Sequence, residues 1–189
     1  MSIVLFLGQN IKAYIENSEA KIKSLMEGGK VRCEHCTKPM SRHSKYQRTI
    51  QEEAQKVTIV VVRCRKCKVF HSLQPDFLLP RKHYSGNEIE SVIIDSESVP
   101  VNQIDTQASE STVRRWIRNV GEKIRRAVSL LKYQFGRAGK AVSETVIEAG
   151  SCYNELEQVL EMAPPTIRCS GNKLGLANLW MNERRDMYI

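Results

Sequence analysis

Two cysteine pairs constrain this chain more than any other feature of its sequence. Each pair has two residues between its cysteines, and 27 residues separate one pair from the other. Two intervening residues let a tight turn point both sulfurs at one ion, and four thiolates complete a tetrahedral structural zinc site with no open position. The pattern therefore predicts one structural zinc ion, with the ligands Cys33, Cys36, Cys64 and Cys67.

The residues between the two pairs favour a β-hairpin. Arg42 to Ile50 has a polar, strand-like pattern, and Val57 to Val62 is a run of β-branched residues, which favours a strand. Gln51 to Gln55 is polar and fits the tip between them. Two metal-binding turns joined by a hairpin make a zinc ribbon.

Two other interpretations of the cysteines fit less well. A redox site of the thioredoxin type has one such pair at the start of a helix in a βαβ frame, whereas this chain has two pairs. A disulfide framework needs an oxidising compartment. The apolar run Ile3 to Leu7 lacks the features of a signal peptide and is too short for a membrane span. We therefore expect a cytoplasmic protein with reduced cysteines and no membrane partner.

Charge is distributed in three blocks along the chain. Residues 31–84 carry 12 Lys or Arg against 4 Asp or Glu, residues 85–109 carry 5 acids and no Lys or Arg, and residues 110–140 carry 9 bases against 2 acids. The whole chain has a formal net charge of +8. A basic balance of this kind suits nucleic acid first and an acidic membrane surface second. The plain alternative is a solvated basic surface.

The middle of the chain has the helix order of a helix-turn-helix unit. Ser85 to Glu88 is a capping-box pattern that opens a helix through Ile93, and Val99 to Ile104 forms a short second element. Ser109 is a good N-cap for a third, basic helix, which would be the recognition helix. Its predicted core seam is Val113, Ile117, Val120, Ile124, Ala127 and Leu131.

Basic side chains of this third helix lie away from the predicted seam. Arginines on an open helix face can reach phosphates or guanine edges. The alternatives are a solvated charged face and a short dimerising coiled coil, although the seam covers fewer than the usual three to four heptads. The predicted DNA contacts of the helix are Ser111, Arg114, Arg115 and Arg118.

These patterns predict an α+β protein, mainly α, in four segments. Residues 1–30 hold an N-terminal helix and residues 31–84 hold the zinc ribbon and an extended linker, because Pro75 and Pro80 forbid a long helix there. Residues 85–140 form the helix-turn-helix unit, and residues 141–189 form a C-terminal helical segment. Cys152 and Cys169 are expected to be ordinary small buried residues.

Several stretches resemble known families. Cys33 to Cys36, Arg48 to Ile50 and Val61 to Cys67 resemble the N-terminal zinc ribbons of several bacterial transposase families. Leu73 to Ser85 and Ser111 to Trp116 resemble a narrower group of small zinc-ribbon and helix-turn-helix proteins of Gram-positive bacteria, found around mobile elements and of unknown function. The resemblance implies DNA binding in a mobile-element setting.

One departure from this resemblance concerns the metal-binding turns. Such ribbons often carry Gly just after each second cysteine, where the turn favours a left-handed backbone. This chain has Thr37 and Lys68 at those two positions. The departure removes no ligand.

We therefore expect a non-enzymatic, zinc-containing protein that binds double-stranded DNA. Its expected role is that of an accessory factor of a transposase or recombinase, or of a transcriptional regulator. A homodimer would suit DNA sites with repeated half-sites. One alternative is a protein-interaction subunit of a larger nucleic-acid-processing complex. Another is a small transposase or nuclease, although no carboxylate cluster on a core sheet can be identified. The predicted phosphate contacts of the ribbon are Arg42, Lys45, Arg48, Arg65, Lys66 and Lys68.

Overall fold

The structure is a computed structural model that describes residues 2–5, 11–137, 151–162 and 173–177. It is an α+β fold, as predicted, and its described residues include one mixed sheet, four α-helices of ten residues or more and a short helical segment at residues 173–177. A 3₁₀ helix spans Val101–Gln103. The other elements are β1 (Ser2–Leu5), α1 (Ile11–Glu27), β2 (Ser41–Ile50), β3 (Gln55–Arg63), β4 (Phe70–Pro75), α2 (Gly86–Asp95), α3 (Glu110–Arg137) and α4 (Cys152–Glu161).

The predicted hairpin, β2 and β3, forms one side of the sheet. β2 and β3 pair antiparallel from Ser41 opposite Arg63 to Ile50 opposite Gln55, with an irregularity after Arg42. The strand order is β1-β4-β3-β2, so β2 is an edge strand. The hairpin places the two cysteine turns at the same end of the sheet, because one precedes β2 and the other follows β3.

The segment predicted to be an extended linker contains a further strand. β4 pairs antiparallel with β3, with Phe70 opposite Arg63 and Leu73 opposite Val60, and β1 pairs parallel with β4. The extended backbone was expected, but the pairing was not. Pro75 is the last residue of β4 and lies beyond its pairing with β3, so its missing N–H group breaks no bond of that ladder.

The first hydrophobic core lies between the sheet and α1. Tyr14 donates its hydroxyl to the Thr58 carbonyl at 2.6 Å and packs edge-on against the ring of Phe77 at 5.5 Å. Ile22, about two turns further along α1, is also buried in this core. These contacts attach α1 to one face of the sheet.

The second hydrophobic core is formed by the later helices and by residues 173–177. The predicted seam of α3 lies in it, although Ile117 is only partly buried, and Trp116 and Val128 are buried there as well. α3 begins directly after Ser109, as predicted. α2, the 3₁₀ helix and α3 follow one another in the predicted order. That they form a helix-turn-helix unit, and that the unit binds DNA, stay predictions.

The tip of the hairpin is hydrogen bonded to the segment that leads into α2. The Arg48 guanidinium donates to the Leu79 carbonyl at 2.9 Å, and the Gln51 N–H donates to the His83 carbonyl at 2.9 Å. These bonds connect the sheet to the chain that enters the helical core.

The start of α2 is capped by residues from two parts of the chain. Ser85 is the N-cap, as predicted, and its hydroxyl accepts from the Glu88 N–H at 3.1 Å. The Glu88 carboxylate does not complete the capping box, because it accepts from the Thr106 hydroxyl. Glu52 at the hairpin tip instead accepts from the Ser85 N–H at 2.6 Å.

A partly buried carboxylate joins α2 to the C-terminal elements. Glu90 accepts from the Tyr153 hydroxyl, from the Lys173 N–H at 2.7 Å and from the Leu174 N–H at 3.1 Å. Burial raises the pKa of Glu90, and these bonds oppose that rise. α4 lies where a helix was predicted, whereas Cys169 and the end of the predicted C-terminal helix lie outside the described residues.

None of the described helices combines the length and the apolar character that a membrane span requires.

Candidate metal centre and basic surface

The two cysteine turns have the same backbone hydrogen bonds. In the first turn, the Cys33 N–H donates to the Lys38 carbonyl at 2.9 Å and the Thr37 N–H donates to the Cys33 carbonyl at 2.8 Å. In the second turn, Cys64 makes the equivalent bonds, at 2.9 Å each, with the residues five and four positions after it. Both pairs have two residues between their cysteines, and both form turns with the same pattern of backbone hydrogen bonds.

The four cysteine sulfurs converge on one point. All four Sγ atoms lie within 4.8 Å of one another, and those of Cys36 and Cys64 are 3.4 Å apart. A Zn–S bond of about 2.3 Å in a tetrahedron requires sulfurs about 3.8 Å apart, so the cluster has suitable dimensions. Cys33 and Cys64 are buried, and Cys36 and Cys67 are partly exposed. The four cysteines could hold a metal ion, as their spacing predicted.

The sulfurs of this cluster influence one another's protonation. The backbone N–H of Cys67 donates to Cys64 Sγ at 3.4 Å and is the main cause that lowers the pKa of Cys64 to about 7. The hydrogen bond with Cys36, together with burial, raises the pKa of Cys67 to about 12. Because a metal ion binds the thiolate, the raised pKa of Cys67 couples metal binding to proton release.

The residue after each second cysteine has a left-handed backbone. Thr37 has φ 58° and Lys68 has φ 62°, the region that glycine adopts most easily. The backbone shape that favours Gly in similar ribbons is therefore present here with larger side chains. A β-branched residue such as Thr37 is especially unfavourable in this region.

Replacing Thr37 by glycine is expected to stabilise the protein. A residue with a Cβ atom in the left-handed region costs about 1–2 kcal/mol, and glycine removes that cost. The extra entropy of glycine in the unfolded chain offsets about 0.5–1 kcal/mol of the stability gained. We expect the free energy of unfolding to rise by about 0.5–1 kcal/mol for Thr37→Gly. Urea denaturation measures it. Thr58→Gly in β3 is the matched control and should be destabilising, and an equal loss in both variants would contradict the role of backbone strain.

The ribbon residues predicted to contact DNA fall into three groups. Arg65, Lys66 and Lys68 are exposed on the second cysteine turn. Arg42 is exposed but makes two bonds with the Glu19 carboxylate of α1, at 2.7 and 2.8 Å, and Lys45 lies 4.0 Å from the same carboxylate. Arg48 is only 8% exposed.

Arg48 is placed where a phosphate contact cannot easily form. Its guanidinium is bonded to the Leu79 carbonyl inside the fold, and burial lowers its pKa. The structure therefore gives Arg48 a structural contact between β2 and the segment before α2. Of the six predicted phosphate contacts in residues 31–84, the three on the second cysteine turn are the ones whose side chains have no ion-pair or hydrogen-bond partner in the part of the chain that the structure describes.

The predicted DNA contacts on α3 are all exposed, with different partners. Arg114 is paired with Glu110 one turn earlier, with Nε 3.1 Å from the carboxylate, and Arg118 Nε lies 3.4 Å from the Asn119 side chain. The hydroxyl oxygens of Ser111 and Ser109 are hydrogen bonded at 3.2 Å. Glu110 therefore neutralises part of the predicted arginine surface.

Arg115 belongs to a cluster of cations that the sequence did not reveal. Burial lowers the pKa of Lys82, and the positive charges of Lys123 and Arg115 lower it further. Lys82 precedes α2 and lies 33 positions before Arg115 in the chain. Only the fold brings these charges together, so no local pattern could have predicted the cluster.

Comparison with known proteins gives one family. Residues 33–116 match a family described as a domain of unknown function, DUF6431. No curated protein and no solved structure matches the chain. The matched region begins at the first predicted metal ligand and ends at Trp116 in α3. Over this part of its length, the chain is similar to a domain whose description assigns it no function.

Proposed function

We propose that this protein binds double-stranded DNA through two basic surfaces, one on a zinc-stabilised ribbon and one on α3. The observation that carries the proposal is that Arg65, Lys66 and Lys68 are exposed on a turn that supplies two of the four clustered cysteines. A rigid turn presents cations at fixed spacing, which suits the regular phosphates of a duplex.

The proposed metal ion is zinc, and its role is structural. Four thiolates are the usual ligands of structural zinc and leave no position for a reactive water. Removing the ion would release the constraint that holds both cysteine turns at one end of the sheet. DNA binding by the ribbon should therefore depend on zinc, although the ion itself contacts no DNA.

The cation cluster around Lys82 supports an anionic partner. Bringing Lys82, Arg115 and Lys123 together costs free energy in the isolated protein, because like charges repel. A phosphate backbone would remove that repulsion on binding. Arg115 also lies on the outward face of α3, from which a side chain can reach a groove.

The biological setting that we propose rests on the resemblance to ribbons of mobile-element proteins. In that setting the protein acts without catalysis, as an accessory factor beside a transposase or recombinase or as a repressor of such genes. A homodimer would place two α3 helices on a repeated half-site.

The test is fluorescence anisotropy of the zinc-loaded protein on a labelled duplex, titrated with salt. Wild-type affinity should fall steeply with salt and be lost after chelation of the metal. Changing Arg65 and Lys66 together to alanine should reduce the slope of log K against log salt by about two. Lys12→Ala, an exposed lysine of α1, is the control and should leave the slope unchanged.

Two results would overturn the proposal. The first is an unchanged slope in the double variant, which would remove the second cysteine turn from the DNA interface. The second is the absence of duplex binding at low salt by folded, zinc-loaded protein. That result would favour a protein-interaction role.

A further inference from the structure

One face of the sheet is partly open to solvent. The opposite face is covered by α1, because Arg42 and Lys45 of β2 both lie beside Glu19 of that helix. Directly paired residues share a face and successive residues alternate. Lys45 is paired with Val60 and Tyr46 is paired with Ile59, so Tyr46 projects from the face that α1 does not cover.

The end of the open face nearest the cysteine cluster carries aromatic and basic side chains. Arg63 and Phe70 are directly paired on β3 and β4, and the Arg63 guanidinium lies 5.3 Å from the centre of the Phe70 ring. The His43 ring packs against the same ring at 4.8 Å. Tyr46 lies on the same face, further from the cysteine cluster. We call these four residues the aromatic patch of the sheet: His43, Tyr46, Arg63 and Phe70.

The two largest rings of the aromatic patch are exposed. Phe70 is 45% exposed and Tyr46 is 42% exposed. Their partners on β3, Arg63 and Ile59, are four positions apart, which is about 13 Å along the strand. Because β2 and β4 flank β3, the two positions are also about 9.5 Å apart across the sheet, which gives about 16 Å in all. One flat ligand could not cover both rings, whereas two rings at this separation can each stack on a different base of one strand.

The charge around the aromatic patch selects the partner. Arg63 lies within it, and Arg65, Lys66 and Lys68 follow on the second cysteine turn, where all three are exposed. A purely apolar peptide or a second copy of this basic face would gain nothing from these cations. A nucleobase chain satisfies both features, because its bases stack on rings and its phosphates pair with Lys and Arg.

We propose that the aromatic patch binds unpaired bases of DNA, with Phe70 and Tyr46 as stacking platforms and Arg63 beside the strand. This inference rests on the proposed function, because it requires that the protein binds DNA. It adds a preference for single-stranded or locally opened DNA. Such a site would let the ribbon engage a strand separated from its complement while α3 contacts the adjoining duplex.

The test compares three labelled probes by anisotropy: a blunt duplex, the same duplex with a central mismatched stretch, and the single strand alone. Stacking on an aromatic side chain contributes about 1–3 kcal/mol per base. Phe70→Ala should therefore weaken binding of the single strand and the opened duplex by about tenfold or more, with an unchanged salt slope, because no phosphate contact is lost. Binding to the blunt duplex should stay within about twofold.

The control variant is Tyr133→Ala, which removes an aromatic residue of α3 that is 64% exposed and lies outside the aromatic patch. Circular dichroism establishes that each variant is folded. Tyr46→Ala should reproduce the effect of Phe70→Ala, and Tyr133→Ala should bind all three probes as wild type does.

The outcomes separate this inference from the proposed function. Equal wild-type affinity for all three probes, or an equal loss on all three in Phe70→Ala, would overturn the role of the aromatic patch and leave duplex binding in place. Ring-dependent binding of the single strand without duplex binding would support the aromatic patch and overturn the proposed duplex interface. Absence of binding to every probe would overturn both.

Discussion

Cys64→Ser is expected to abolish metal binding and unfold the sheet. Cys64 is buried, accepts a hydrogen bond from the Cys67 N–H, and lies 3.4 Å from Cys36 Sγ, so its loss removes a central member of the cluster. Structural zinc supplies about 10–16 kcal/mol in small zinc domains, which equals or exceeds the total stability of about 5–15 kcal/mol of a typical domain. The expected loss is therefore large enough to unfold the ribbon.

The measurement for this variant is the zinc content per chain by elemental mass spectrometry, together with thermal unfolding by circular dichroism. We expect about one ion per wild-type chain and almost none in Cys64→Ser. Chelation of the wild-type protein should produce the same unfolded ribbon.

Cys152→Ser is the matched control, because Cys152 is a partly buried cysteine at the start of α4 and does not belong to the cluster. It should retain the metal and most of the stability. A Cys64→Ser protein that keeps one tightly bound ion would contradict the four-cysteine site.

Trp116→Ala is expected to destabilise the helical core by about 3–5 kcal/mol, the usual cost of removing a large buried ring. Trp116 is 2% exposed, and its ring meets that of Tyr84 edge-on at 4.9 Å. Tyr84 precedes α2, so this contact joins α3 to the segment that comes from the sheet. The variant would lose both the buried area and this connection.

The free energy of unfolding of Trp116→Ala is measured by urea denaturation followed by far-UV circular dichroism. Trp116→Phe should lose less, because it keeps a ring beside Tyr84. Tyr133→Ala, an exposed position on the same helix, should change the free energy by less than about 0.5 kcal/mol. A loss below about 1 kcal/mol for Trp116→Ala would show that the ring is not part of the core.

The cysteine cluster could be predicted from the sequence because the geometry of each turn is local. Two residues between cysteines determine a turn, and both turns have matching hydrogen bonds and left-handed residues at Thr37 and Lys68. The hairpin followed from β-branched residues in a short run, and its paired strands bring the two turns together. The identity of the ion and the partner of the basic surface stay predictions.

The buried face of α3 was also predictable, since helical periodicity is a local property. Val113, Val120 and Leu131 are buried where the spacing placed them. Trp116 was missed as a core residue because it lies one position from the predicted seam. The buried face of α3 is wider than that seam.

The ability of each Lys or Arg side chain to contact phosphate could not be predicted from the sequence. Arg48 and Arg65 look equivalent in sequence, but Arg48 is bonded to Leu79 inside the fold and Arg65 is exposed. Arg42 is paired with Glu19, 23 positions earlier in the chain. A charge count includes all these residues equally, whereas their ability to meet phosphate depends on partners that are distant in sequence.

The sequence by itself determined the features that depend on neighbouring residues: the cysteine turns, the hairpin, the starts of α2 and α3, and the apolar stripe of α3. The tertiary structure decided the features that depend on distant pairs. These include the pairing of β4 with β3, the cap that Glu52 gives to α2, the cation cluster at Lys82 and the aromatic patch. Local spacing restricts backbone shape directly, whereas contacts between distant residues form only when the whole chain has packed.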